Sequence, residues 1–144
     1  MYATVSDMIA RFGETQMIRL SRPEDRSAET VDDARIETAL SDASALIDGY
    51  LRARYTVPVA APPLEIKRAA CILARYDLAQ GEHVDPSKEM DKGRADIVAW
   101  LESIAKELVN LDVPAAPISG AAVGSGPAMV DRERVMTHEN LRFF

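Results

Sequence analysis

One cysteine leaves nothing for it to pair with: Cys71 cannot form an internal disulfide, and a Cys-rich zinc site is excluded. Its neighbours Ala69, Ala70, Ile72 and Leu73 mark it as a small buried hydrophobe rather than a catalytic thiol. Histidine is nearly as scarce. His83 and His138 are the two present, and neither falls in a pattern that spaces ligands along a helix. No metal or cofactor is expected, and both histidines read as solvated. Long apolar runs are missing as well, so no membrane span is expected. The opening Met1-Tyr2-Ala3-Thr4-Val5-Ser6-Asp7 lacks the basic and apolar regions of a leader, which points to a cytoplasmic protein. Positive charge is in deficit: 17 Lys and Arg stand against 23 Asp and Glu, a formal net charge of -6. Tight DNA binding needs a local excess of cations and is not expected, whereas an acidic wall would let DNA slide past.

What is present is enough to fold. At 144 residues, 47% hydrophobic and 28% charged, the chain can bury one domain core without staples. Thr4 with Asp7 three residues on forms a capping-box pattern, and Val5, Met8, Ile9 and Phe12 then share a face until Gly13 stops the helix. A second short segment carries Met17, Ile18 and Leu20 before a polar loop from Ser21 to Ser27. Thr30 with Asp33 repeats the capping pattern and opens the clearest helix, with Ile36, Leu40, Ala43, Ile47, Tyr50 and Leu51 at spacings of three and four. Extended through Tyr55, that helix would be about 35 Å long. Val57-Pro58-Val59-Ala60-Ala61-Pro62-Pro63 cannot continue it.

Pro63 suits the first turn of the next helix, in which Ala69 to Ala79 is apolar nearly all round and therefore central. Gly81 ends it. Asp85-Pro86 supplies a cap and a first-turn proline for the last helix, whose stripe reads Ile97, Leu101, Ile104, Leu108 and Leu111, widened by Trp100 and Ala105. Glu102 and Lys106 form an outward pair. The expected fold is all-α: a compact helical bundle over residues 1–112 with one long organising helix. Residues 113–144 are expected to form a Pro/Gly linker and a C-terminal docking arm. Val113 to Pro127 is small and proline-punctuated, and Met129 to Phe144 alternates charge with apolar groups that are too few to bury a core.

Candidate chemistry is thin. Asp42 and Asp48 lie roughly 120° apart around a helix, which argues against a joint acid-base role, and Arg52 offers Asp48 a partner at i+4. Gly-Ala-Ala-Val-Gly-Ser-Gly at 120–126 lacks the lysine and the strand-loop-helix setting of a phosphate loop. An enzyme would need Asp77, Arg75 and a histidine gathered in a deep pocket. Arg52-Ala53-Arg54-Tyr55 gathers two guanidinium groups and an aromatic ring at a helix end. Two readings stay open there: charge complementing a helix dipole, and contact with a partner.

Ala39-Leu40-Ser41-Asp42-Ala43-Ser44, Ile47-Asp48-Gly49-Tyr50-Leu51, Arg54-Tyr55-Thr56-Val57-Pro58-Val59, Pro63-Leu64 and Ala74-Arg75-Tyr76-Asp77-Leu78 resemble the small neck proteins of Mu-like phages and prophages. Tyr2-Ala3-Thr4 with Asp7, Arg11, Phe12 and Gly13 fits as well. One departure is clear: that family leads us to expect a glycine near Lys106-Glu107, and this chain has none. The resemblance implies a head-tail connector, or head-completion adaptor. Such a subunit forms a ring, usually a homo-dodecamer, between the portal protein and the next neck or tail-completion protein, with DNA only as cargo in the lumen. Its place would be the virion neck, after assembly in the host bacterial cytoplasm.

An arm that loses freedom on docking should carry few, apolar anchors. Val135, Leu141, Phe143 and Phe144 fit, with Arg132 and Arg134 to orient them, alongside Arg52, Arg54 and Tyr55 on the body. The alternative is a cellular helical regulatory or adaptor module.

Overall fold

A computed structural model describes residues 1–80 and 85–115, and the account below concerns these. They form five helices: α1 (Val5–Phe12), α2 (Glu14–Ser21), α3 (Asp33–Leu51), α4 (Leu64–Ala79) and α5 (Lys88–Ala105). Among the described residues there is no strand, only an isolated antiparallel bridge between Tyr55 and Ala115. The all-α expectation holds.

Local signals explain the first turns. Thr4 caps α1 in a full capping box, its hydroxyl accepting from the Asp7 amide at 3.2 Å while Asp7 Oδ2 accepts from the Thr4 amide at 2.9 Å. These bonds satisfy donors that every helix start leaves open, and they hold the Asp7 carboxyl below its usual range. Gly13, at φ 86°, takes the left-handed backbone that lets α2 follow with no loop. Ser21 ties the end of α2 to the start of α3. Its buried hydroxyl accepts from the Asp32 amide at 3.0 Å.

Several boundaries differ from the sequence reading. Asp32, not Thr30, caps α3, its carboxylate accepting from the Arg35 amide. The helix then stops at Leu51 after 19 residues, about 28 Å, because Arg54 and Tyr55 both turn their amides back to the Leu51 carbonyl and tighten the last turn. Ser87 rather than Asp85 caps α5, accepting from the Met90 amide at 3.3 Å. The α5 stripe ends at Ile104. Leu108 is exposed, since the chain has already turned at Glu107, where φ is 65°.

Around that turn the Leu108 amide donates to the Ser103 carbonyl at 2.9 Å and the Glu107 amide to the Ile104 carbonyl at 3.1 Å. That pair is a Schellman stop with glutamate in the left-handed place glycine usually fills. The glycine expected near Lys106-Glu107 thus maps onto a real backbone need.

The core is an α3–α4 pair with α5 packed on both, and α1 and α2 laid across one side. Ile36, Leu40, Ile47 and Leu51 of α3 are buried with Ile66 and Leu73 of α4, Leu101 and Ile104 of α5, and Met8 and Met17. Each such side chain contributes roughly 1.5–3 kcal/mol by leaving water. α4 is the central helix, as its apolar run requires. Cys71 is buried within it, and burial pushes its thiol pKa up, away from thiolate chemistry.

Candidate functional site

Both ends of the described body converge on the connection between α3 and α4. At the N-terminal side, the ring of Tyr2 is buried and its hydroxyl donates to Asp48 Oδ1. The Tyr2 hydroxyl oxygen also accepts from the Val59 amide at 3.0 Å, and the Tyr2 amide donates to Ser44 Oγ at 3.0 Å. Ser44 passes its own proton to the Leu40 carbonyl at 2.7 Å, so each polar group in this buried corner has a partner. Burial, reinforced by the Asp48 carboxylate, pushes the Tyr2 phenol up to about 12. Asp48 is therefore held by Tyr2. Among the described residues no ion pair joins it to Arg52, the partner its i+4 spacing suggested.

At the other side stand the sequence's own candidates. Arg52 follows α3 as its C-cap residue and is exposed. Arg54 turns inward and grips the end of α5: Nη1 donates to the Ile104 carbonyl at 2.7 Å and to the Val109 carbonyl at 3.2 Å, and Nη2 to Asn110 Oδ1 at 2.8 Å. Its Nε lies 3.8 Å from Glu107 Oε1. The guanidinium thus complements a helix dipole, as one reading held, but at the C-terminus of α5 rather than of its own helix.

Tyr55 is buried beneath it, with the Arg54 guanidinium carbon 5.4 Å from the ring centroid. Its hydroxyl accepts from the Leu111 amide at 2.9 Å. Beside it, the Thr56 amide reaches the Pro114 carbonyl at 3.4 Å, completing the bridge to Ala115. Residues 109–115 are therefore held at one corner of the described body. Periodicity could not reveal this, because a pattern along one helix says nothing of partners fifty or more residues away.

Arg132, Arg134, Val135, Leu141, Phe143 and Phe144 lie outside the described residues, as do His83 and His138. Arg75 does not meet Asp77, which sits two positions on and so on the far side of α4; it lies over the Phe12 ring instead, 4.6 Å from the centroid. Among the described residues no group of three or more metal-binding side chains gathers, and no helix is long and apolar enough to cross a membrane.

Comparisons with known proteins place this sequence among phage proteins. Gene product J of Escherichia phage Mu is 40% identical over 103 residues, which cover 72% of this chain and 70% of that protein. The Mu-like prophage FluMu protein gp36 of Haemophilus influenzae is 33% identical over 84 residues, 58% of this chain and 57% of that protein. A sequence model of the family described as Bacteriophage Mu, Gp36 matches residues 2–126, from the Tyr2 anchor through all five helices and past Ala115. On that span, the chain belongs to the Bacteriophage Mu Gp36 family of phage proteins.

Proposed function

We propose that this phage protein is a head-tail connector. It works by protein-protein binding rather than catalysis, as one subunit of a ring between the portal and the next neck or tail-completion component. A dodecamer would match the portal's symmetry, with DNA passing through the lumen as cargo. Its site of action would be the virion neck, after assembly in the bacterial cytoplasm.

The observation that carries this reading is the anchoring of residues 109–115. Arg54 and Tyr55 hold residues 109–115 against the foot of α3, and beyond lies a linker followed by apolar and basic residues. A tether rooted in a folded body keeps Val135, Leu141, Phe143 and Phe144 at high local concentration near any partner that the body touches. Arg132 and Arg134 would orient them. Arg52, exposed beside the root, is the body's own contact at that corner. Arg54 and Tyr55 then serve the partner indirectly, by setting where the arm starts.

Electron microscopy of particles lacking the protein tests the proposal. DNA-filled heads without tails are expected, and normal tailed particles would refute it. A chain ending at Ala115 should remain folded and helical yet fail to restore tails. Loss of the fold on that truncation would assign the arm to the core instead.

A further inference from the structure

A pocket of about 280 Å³ opens where α1, α4 and α5 meet. Arg11 of α1 and Arg68 and Arg75 of α4 line it, with Phe12, Ile72 and Met90 as its apolar surface. Gly93 completes that surface. A Cβ there would stand 3.3 Å from Ile72 Cγ2, so the glycine is what lets α5 lie this close to α4. Glu89 is the one carboxylate in the lining, so three cations face one anion. That imbalance stands out on a chain of net charge -6.

The chain itself does little to neutralise these guanidinium groups. No ion pair among the described residues reaches any of the three. Asp7, one turn before Arg11, is held in the Thr4 cap. Arg11 also lies near Cys71, but burial pushes that thiol toward its neutral form, which is a weak acceptor. Arg75 is set in place rather than neutralised. Its guanidinium lies over the Phe12 ring, and its Nη2 is 3.0 Å from the Gln16 amide oxygen in the orientation that suits both of that amide's neighbours. Its Nε is buried and finds no partner among the described residues. Arg68 is exposed, and Met90 stands in the first turn of α5, where the helix dipole is positive. Fixed cations beside apolar surface form a site preorganised for an anion that has an apolar side of its own.

We propose that this pocket binds a carboxylate carried on an apolar body, and that its occupant is a glutamate or aspartate beside a bulky apolar side chain on a partner protein. The guanidinium groups would take the carboxylate in forked, charge-assisted hydrogen bonds, while Phe12, Ile72 and Met90 cover the apolar group. Charge and surface together select this occupant. Phosphate, hydrated on all sides, gains nothing from an apolar lining, and a DNA backbone needs a continuous basic track rather than one pocket that includes Glu89. The volume lies at the lower end for small-molecule sites and suits one or two side chains. In taking the partner to be another neck component, the proposal rests on the connector reading and adds a second contact to it. Met90 stands near the start of α5 and Ile104 at its end, so most of that helix separates this pocket from the Arg54 corner.

Nuclear magnetic resonance on the full chain tests the chemistry with three small probes. 3-Phenylpropionate joins a carboxylate to an aromatic body, acetate carries the carboxylate alone, and inorganic phosphate is the rival anion. 3-Phenylpropionate should shift the Gly93 amide and the Arg75 Nε–H signals saturably, and bind roughly tenfold or more tighter than acetate or phosphate. Arg68→Gln should weaken both carboxylates. Met90→Gln should weaken 3-phenylpropionate and leave acetate unchanged. Arg68 is exposed and Met90 only half-buried, so circular dichroism should show both variants folded. The wild-type ranking of the probes decides the ligand class without either variant.

Absence of a saturable shift overturns the site, as does acetate binding as tightly as 3-phenylpropionate. Phosphate binding tighter than either, or duplex DNA binding lost with Arg68→Gln, would assign the pocket to phosphate and overturn the proposal. Self-association lost with the same variant would make a second copy the occupant, which overturns it too. In particles, Arg11→Gln with Arg68→Gln should yield roughly tenfold fewer tails. The two readings fail separately. If heads lacking the protein are tailless but that double variant restores tails fully, the connector stands and this docking site falls. Normal tails in the protein's absence would remove the connector and leave the probe ranking to judge the pocket.

Discussion

Tyr2 and Tyr55 are both buried beside the α3–α4 connection, and the hydroxyl of each accepts from a main-chain amide, yet they secure different things. Tyr2 binds the N-terminal segment to α3 through Asp48 and Ser44, and to the proline-rich turn through Val59. Those partners belong to the core layer. Tyr55, helped by Arg54, binds residues 104–115, where Glu107, Leu108, Asn110 and Asp112 are exposed. One anchor is part of the fold; the other is a clamp on its edge. The same chemistry, an aromatic ring with a polar tip, therefore has consequences set by what lies on the other end of the bond.

The sharpest way to break the comparison is to remove each handle in turn. Tyr2→Ala empties a buried aromatic site and strands the Val59 amide, so unfolding in denaturant should show a loss of about 3–5 kcal/mol. A loss below about 1 kcal/mol would mean the N-terminal segment is not held as described. Arg54→Met should cost less, roughly 1–3 kcal/mol, since it leaves carbonyls near the surface. Its effect should also be local. Hydrogen exchange at Leu111 should quicken strongly while amides in α1 keep their protection, and uniform quickening would refute the edge-clamp view. Arg54→Lys should not rescue it, because one ammonium cannot span the Ile104 carbonyl and the Asn110 amide as the planar fork does.

How much of this the sequence displayed depended on the range of each interaction. The helices were legible because Ile36, Leu40, Ala43 and Ile47, or Ile97, Leu101 and Ile104, repeat at helical spacing, and Thr4–Asp7 is a local cap. Boundaries were less so. Thr30 and Asp85 carry good capping chemistry, and only the backbone path gives the caps to Asp32 and Ser87. The corner was half visible: Arg54 and Tyr55 stood out as a cluster, but nothing local announces that their partners are Ile104, Asn110 and Leu111. Tyr2 carried no signal beyond the family resemblance, because its partners lie 42 to 57 residues away. Similarly, Arg11 of α1 lines one pocket with Arg68 and Arg75 of α4, which spacing along one helix cannot register.

A subtler change separates Tyr2's ring from its hydroxyl. Tyr2→Phe keeps the packing but removes the donor to Asp48 and the acceptor for Val59, and should cost roughly 1–2 kcal/mol at neutral pH. The pH dependence gives a second reading. In the folded protein the phenol is pushed up to about 12 from an ordinary 10, so the native state favours the neutral form. That contribution is fully present below pH 10 and is lost as the pH rises toward 12. Wild type should therefore lose stability across this alkaline window, and the Phe variant should lose less. Identical alkaline slopes would place the Tyr2 hydroxyl in water.

The smallest expected effect sits on the clamp's own turn. Glu107 holds φ at 65°, a region where a side chain's Cβ crowds the backbone, and its link to Arg54 is long at 3.8 Å with its side chain 75% exposed. Such an ion pair is worth about 0–1 kcal/mol. Glu107→Ala keeps the backbone strain and loses the pair, so it should be neutral to slightly destabilising. Glu107→Gly loses the same pair but relieves the strain, and relief outweighs the extra freedom glycine gives the unfolded chain. Thermal unfolding should therefore rank glycine above alanine by about 1 kcal/mol. Because both variants lack the carboxylate, their difference isolates the backbone. Alanine equal to or better than glycine would mean that the left-handed stop of α5 does not exist, and with it the path that delivers the Ile104 and Val109 carbonyls to Arg54.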